Sequence, residues 1–254
     1  MPEPHPTPSN EPAPIPQDTV EIRDLPPAIG EQPADLPVVP GGWTERTWTI
    51  NGQSFVLTLP AKPDDFLEDP DVQTAFEQDE YMPYWAYVWP AALKMASRVL
   101  AKDWPTAATV LELGTGIGIV GLAGLSKGLH VVFTDYEPRS VQVALFNARR
   151  NGFPEATGMV LDWRSPPERQ FPFIWGCDLL YEDRHHAPLI QLIQQMLARD
   201  GVAWFADPGR AAATRFVTLL TQAGFVCQLF DEQHQRLDAP RIGQYQLCEI
   251  RHAV

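Results

Sequence analysis

Nine residues constrain this chain more than any others: Val110-Leu-Glu-Leu-Gly-Thr-Gly-Ile-Gly118, an apolar run that breaks into glycines at alternate positions and then resumes as a helical pattern. Val110, Leu111 and Leu113 suit a buried strand. Gly114, Gly116 and Gly118 allow positive φ and let another molecule approach the backbone. The apolar stripe Ile119, Leu122, Ala123 and Leu125 predicts a helix whose N-terminal N–H groups point at whatever the glycines hold. Strand, glycine turn and helix in this order make a ligand-binding turn, suited to an anionic or carboxylate-bearing cofactor.

Strands and helices alternate from there on. Val131 to Phe133 reads as a second buried strand ending in Thr134-Asp135, and Pro138 opens a helix with Val141, Ala144, Leu145 and Ala148 on one face, stopped by Asn151-Gly152. Met159 to Leu161 and Phe171 to Cys177 read as strands, Pro188 to Met196 as a helix, Val202 to Phe205 as a strand, and Ala211 to Ala223 as a helix stopped at Gly224. Phe225 to Phe230 and Tyr245 to Ile250 read as paired strands. The alternation predicts an α/β fold, a doubly wound sheet that ends in an antiparallel C-terminal hairpin.

Upstream of the glycines, Thr47 to Ile50 and Phe55 to Leu59 alternate around Asn51-Gly52, which predicts a small N-terminal β-hairpin. An acidic stretch from Asp64 to Glu80 surrounds a short helical candidate, Val72 to Phe76; it reads either as a solvated cap or as a rim that attracts a basic protein or an amine. Pro83-Tyr-Trp-Ala-Tyr-Val-Trp-Pro90 then leads into a helix through Leu93, Ala96, Val99 and Leu100. At least two of its four large aromatics are expected in the core; Trp89, just before the helix, is the candidate for a pocket wall.

Composition narrows the function. A net charge of -13 over 254 residues argues against nucleic acid as a partner. No run of about 18 apolar residues and no basic-then-apolar leader is present, so no membrane association is expected and a cytoplasmic enzyme is the default. Cys177, Cys227 and Cys248 are odd in number and widely spaced, the pattern of reduced core cysteines, and no metal is expected. Residues 1–40, with seven prolines between Pro2 and Pro16, are read as a disordered, acidic, solvated tail; residues 41–254 are read as one catalytic domain with order beginning near Trp43.

Two cofactor classes fit the glycine turn. Gly116-Ile-Gly-Ile-Val-Gly121 satisfies the dinucleotide fingerprint, with Asp135 placed to accept from ribose hydroxyls. Glu112-x-Gly-x-Gly-x-Gly instead resembles motif I of the S-adenosylmethionine-dependent methyltransferases. Glu112 favours the second, since a carboxylate beside the turn opposes a pyrophosphate and attracts a sulfonium with an amino group. With Pro83 to Pro90, Asp162-Trp163 and Asp178-Leu-Leu-Tyr181 added, the chain from about Trp43 onward is similar to the family 16 methyltransferases, which include protein lysine methyltransferases.

That resemblance implies a seven-strand Rossmann-like sheet and S-adenosylmethionine as cofactor. It implies that Gly114, Thr115, Gly116 and Gly118 contact the methionine part and that Asp135 holds the ribose. Asp162 and Trp163 would flank the adenine, although core packing is an even alternative for Trp163 and a turn or cap a weaker one for Asp162. Asp178 and Tyr181, at the carboxyl end of a strand where open α/β sheets bind ligands, are the expected active-site pair, with Asp178 also beside the cofactor. The implied acceptor is a protein lysine side chain or a small-molecule amine; a cofactor-binding protein without turnover is discouraged by the intact set of acidic residues. His185-His186 reads as a polar helix start and Asp207 as a helix cap.

Overall fold

The computed structural model describes residues 20–24 and 34–253. Its small sheet holds β1 (Val20–Asp24), β2 (Trp43–Ile50) and β3 (Gln53–Pro60). Next come α1 (Pro70–Asp79) and α2 (Pro90–Ala101), then β4 (Thr109–Leu113), α3 (Ile119–Ser126), β5 (His130–Asp135), α4 (Pro138–Arg150) and β6 (Thr157–Val160). The second half runs β7 (Phe171–Cys177), α5 (His186–Met196), β8 (Leu197–Asp207), α6 (Ala211–Gln222), β9 (Phe225–Phe230), β10 (Arg236–Leu237) and β11 (Gln246–His252).

The large sheet has the order β10-β9-β11-β8-β7-β4-β5-β6. Strands β4 to β8 are mutually parallel, and β11 lies antiparallel between β8 and β9. The expected α/β sheet with an antiparallel C-terminal pair is thus present; the eighth strand is the two-residue β10 on the edge. After β4 the chain winds outward through β5 and β6, then returns to β7 on β4's other side. That reversal opens a crevice at the carboxyl ends of β4 and β7.

Helices cover both faces, so these strands are apolar on both sides. Val110, Val131, Phe133 and Trp175 pack with α2, α3 and α4, while Leu111, Leu113, Val132 and Ile174 pack with α5 and α6. The two sets alternate along each strand, as a period of two requires.

The hairpin forms as read: Asn51 (φ 50°) and Gly52 (φ 79°) both take the positive φ of a tight two-residue turn. Asn51 Nδ2 also donates to Ser97 O (3.1 Å) and Oγ (2.9 Å), fixing the turn to α2. The other edge of β3 is closed by a helix. Asn151 pairs with the backbone N–H and C=O of Val56 (2.9 and 2.7 Å), and Asn147 with those of Thr58 (2.8 and 3.0 Å). Four residues of helix rise about 6 Å and two of strand about 6.7 Å, so asparagines one turn apart meet alternate strand residues. The sequence marks Asn151 only as the stop of α4.

Residues 1–19 and 25–33, most of the stretch read as a solvated tail, lie outside the described residues. Val20–Asp24 departs from that reading, pairing antiparallel with β2 from Val20↔Ile50 to Asp24↔Arg46. Its Val-Glu-Ile-Arg-Asp alternation holds no proline, and only the flanking prolines gave it the look of coil. Order also precedes Trp43: Leu36 and Val39 are buried, and Trp43 Nε1 donates to Pro37 O (2.8 Å). The three cysteines are free thiols. Among the described residues no helix is long and apolar enough to cross a membrane.

Candidate active site

The turn after β4 takes the conformation its glycines permit, with φ of 59° at Gly114, 54° at Gly116 and 93° at Gly118, the last capping α3. A Cβ on Gly114 would stand 2.4 Å from Leu179 Cδ2, a side-chain end that could shift, so it is the positive φ that calls for glycine there.

Glu112 lies beneath this turn. Its carboxylate is buried, accepts from Thr115 Oγ1 (2.8 Å) and from the Gly121 N–H in α3 (3.1 Å), and is pushed up to about 8 by burial. Glu112 and Thr115 line a small cavity of about 40 Å³ behind the turn, not the main cleft. Trp89, Gly114, Gly116 and Asp178 line both cavities, Glu112 and Thr115 only the smaller one, and Gly118 neither. Strand alternation turns Glu112 opposite to Leu111 and Leu113, and the nearest donors are those of its own turn and helix.

The main cleft, of about 320 Å³, opens at the carboxyl ends of β4, β5 and β7 and does gather Trp89, Gly114, Gly116, Asp135, Asp162, Trp163, Asp178 and Tyr181. Asp135 accepts from Gly116 N (3.1 Å), Glu137 N (3.1 Å) and Ser140 Oγ (2.7 Å), and burial raises its carboxyl. Asp162 is drawn into a turn: Arg164 donates to it through its backbone N–H (2.9 Å) and its guanidinium, holding its carboxyl below the usual range. The weaker alternative for Asp162 is therefore present alongside its place in the cleft wall. Trp163 stands edge-on to His185 (5.5 Å), and its Nε1 is a buried donor without a protein partner. Trp89 donates from Nε1 to Tyr84 O (2.9 Å) and leans on Tyr84 and Tyr87.

Asp178 follows β7 with φ 60°, a left-handed conformation that costs a non-glycine residue about 1 kcal/mol. Only 8% exposed, it accepts from Arg210 Nη1 (2.7 Å) and the Ala91 N–H at the start of α2. Burial raises its carboxyl and Arg210 opposes the rise. Three residues on, Tyr181 meets Tyr84 (5.2 Å) and His185 (5.5 Å) edge-on.

Several lining residues escaped sequence reasoning. Glu137 accepts from Tyr81 Oη (2.5 Å) and Arg139 N (3.1 Å). Burial opposes its charge, but the Arg139 guanidinium (2.9 and 3.0 Å), together with these bonds, holds its carboxyl below the usual value. A carboxylate just before Pro138 is a helix-cap signal that could have marked it. His185, read as a helix start, lies in the cleft, where burial lowers its ring below the usual imidazole value.

A nucleoside with a cationic centre suits this lining: acceptors at Asp135, Asp162 and Asp178, an unpartnered indole N–H at Trp163, flat aromatic walls, and a glycine turn open to backbone contact. Fold and cleft together define an S-adenosylmethionine-dependent methyltransferase. The lysine methyltransferase family model matches residues 70–223, more than half of the chain, and the chain belongs to that family. Among curated protein sequences none matches at significance.

Solved structures share the fold. The ribosomal protein L11 methylase of Lactobacillus delbrueckii subsp. bulgaricus is 21% identical, over 63% of this chain and 78% of its own, with a TM-score of 0.50. A TehB-like S-adenosylmethionine-dependent methyltransferase of Corynebacterium glutamicum is 18% identical over 76% and 99%, also at 0.50. The glycopeptide N-methyltransferase MtfA, in complex with S-adenosyl-L-methionine, is 14% identical over 64% and 94%, again at 0.50.

Proposed function

We propose that this chain transfers a methyl group from S-adenosylmethionine to the side-chain amine of a protein lysine. The observation that carries the reading is the Asp178 carboxylate, buried and hydrogen-bonded at the inner end of a cleft walled by Trp89, Tyr84 and Tyr181. Seven carboxylates and two guanidinium groups line that cleft, which favours a cationic or amine acceptor over a phosphorylated one. Membership of the lysine methyltransferase family supports the same acceptor.

The bound cofactor supplies a sulfonium methyl group that moves in line to a lone pair. The residues here orient and exclude. Gly114 and Gly116 would hold the amino acid end through backbone, Asp135 the ribose hydroxyls, and Asp162 and Trp163 the adenine. Asp178 would attract the incoming ammonium and hold it by hydrogen bonds while it gives up its proton to solvent, since only the neutral amine has a lone pair to attack with. Tyr181 and Trp89 would confine its approach, so that rate comes from positioning.

The purified chain, incubated with methyl-labelled cofactor and a cell lysate, is expected to label a protein band and to leave the label on lysine after hydrolysis. Label confined to small molecules would replace the lysine with a small-molecule amine. Asp178→Asn is expected to slow transfer by about 100-fold or more, with cofactor affinity by calorimetry changed only a few-fold. An equal loss of cofactor affinity would move Asp178 out of the acceptor site.

A further inference from the structure

We propose that Arg210 is the positioning residue of the reaction: from the start of α6 it holds Asp178 at the cleft, and it is itself held by Asp207. The inference rests on the reading of Asp178 as the group that orients the amine.

Asp178 needs an external hold. It sits past the end of β7 in a left-handed conformation, and its backbone N–H is committed to Ala206 O (2.9 Å). Besides the Ala91 N–H, the side chain is held by Arg210, whose Nη1 donates to Asp178 Oδ1 (2.7 Å) and to Asp207 Oδ2 (2.8 Å). The other oxygen of Asp207 accepts from the N–H groups of Gly209 (2.7 Å) and Arg210 (2.6 Å), so Asp207 builds the turn that presents Arg210 and also anchors its guanidinium. Gly209, at φ 96°, packs that turn against the C-terminal segment: a Cβ there would stand 2.4 Å from Gln244 O, and Gly243 N donates to Gly209 O (2.8 Å). The arginine is thus placed by a rigid turn.

One guanidinium between two carboxylates leaves the array with a net charge of -1, able to receive a cation. The other groups facing Asp178 do not compensate. Cys177 Sγ lies 4.0 Å from its Oδ2 and is kept a thiol by burial. Glu112, from β4, bears on Cys177 from behind, and α2 offers only the Ala91 N–H. Removal of Arg210 therefore leaves two carboxylates facing each other in a desolvated place, where one takes up a proton at a higher pH.

The test measures initial rates of label transfer to lysate protein across pH with the full chain, beside a 13C-carboxyl NMR titration in which the Asp178 signal is assigned by its loss in Asp178→Asn. Arg210→Gln is expected to move both the acidic limb of the rate profile and the Asp178 midpoint upward by about one pH unit or more, with cofactor affinity held within a few-fold. Arg210→Lys is expected to recover part of the shift. Asp207→Asn withdraws one anchor of the guanidinium but leaves Asp178 as its anionic partner and removes the neighbouring negative charge, so both readings are expected to move downward; it also serves should Arg210→Gln not fold. Wild-type rate and profile in Arg210→Gln, or a uniform loss of rate with no shift in any variant, would overturn the role of Arg210. An active Asp178→Asn would instead overturn the reading beneath it.

Discussion

Glu112 shows how much one residue's direction matters. Its place two residues before the first glycine is plain in the sequence, but which way the carboxylate points depends on α3, whose Gly121 N–H it accepts. The three glycines also read correctly as a turn, while their division between cleft and helix cap needed the fold. At Gly121 a Cβ would stand 2.2 Å from Phe133 Cε1 and 2.3 Å from Glu112 Oε2. Gly121→Ala is therefore expected to destabilise by about 1–3 kcal/mol, read as a lower unfolding midpoint in urea.

The buried carboxyl also predicts a pH dependence. Folding lifts Glu112 from its ordinary value of 4.5 to about 8, so between those values the folded chain holds a proton that the unfolded chain has released. Stability from this group is full below the lower value, falls as pH rises through the window, and levels off above the upper one. Glu112→Gln, whose carbonyl oxygen still accepts from the Gly121 N–H while its amide N–H can donate to Thr115 Oγ1, is expected to flatten the fall in urea midpoint between pH 5 and 8 that the wild type shows.

Between elements, the mouth of the cleft is spanned by ion pairs. Arg164, after β6, reaches Asp79 at the end of α1 (3.2 Å), and Arg184 reaches Glu80 (3.1 Å) and Asp79 (4.0 Å) from the start of the α5 segment. The acidic stretch was legible as charge. Its arginine partners were not, because they lie some eighty to a hundred residues away and meet it only where β6 and β7 bring their loops together. Phe66 and Val72 are buried against the core, so the stretch caps it, while Asp79 and Glu80 line the mouth. Exposed pairs like these add about 0–1 kcal/mol each to stability. Their expected effect is on the lifetime of bound cofactor: Arg164→Ala with Arg184→Ala should leave the unfolding midpoint nearly unchanged and speed cofactor release several-fold in stopped-flow tryptophan fluorescence. Salt should speed release from the wild type and not from the double variant, because screening removes the same pairs.

Across the whole molecule, periodicity identified each strand and helix that forms the cleft, because those strands are buried on both faces and their helices carry clear apolar stripes. It did not give the insertion of β11 between β8 and β9, which is decided by pairing between distant segments, nor β10, whose two residues carry no pattern. Least legible was the join between the N-terminal sheet and the methyltransferase fold. Asn147 makes it: fully buried on α4, it satisfies the N–H and C=O of Thr58 and also donates to Ile117 O (3.0 Å) in the glycine turn. An asparagine inside a helix has no propensity signal for such a task, as its value lies wholly in groups supplied by β3 and the turn. Asn147→Leu would leave those backbone groups buried without partners, at about 1–3 kcal/mol for each group left unpaired. The expected result is a large drop in overall stability, with amide exchange at Thr58 and Val56 accelerated well ahead of β4 and β5, and weaker cofactor binding as Ile117 loses its tie. Uniform acceleration across both sheets would instead mean that the N-terminal sheet and the methyltransferase fold open as a single unit, with Asn147 stabilising the whole and not the join.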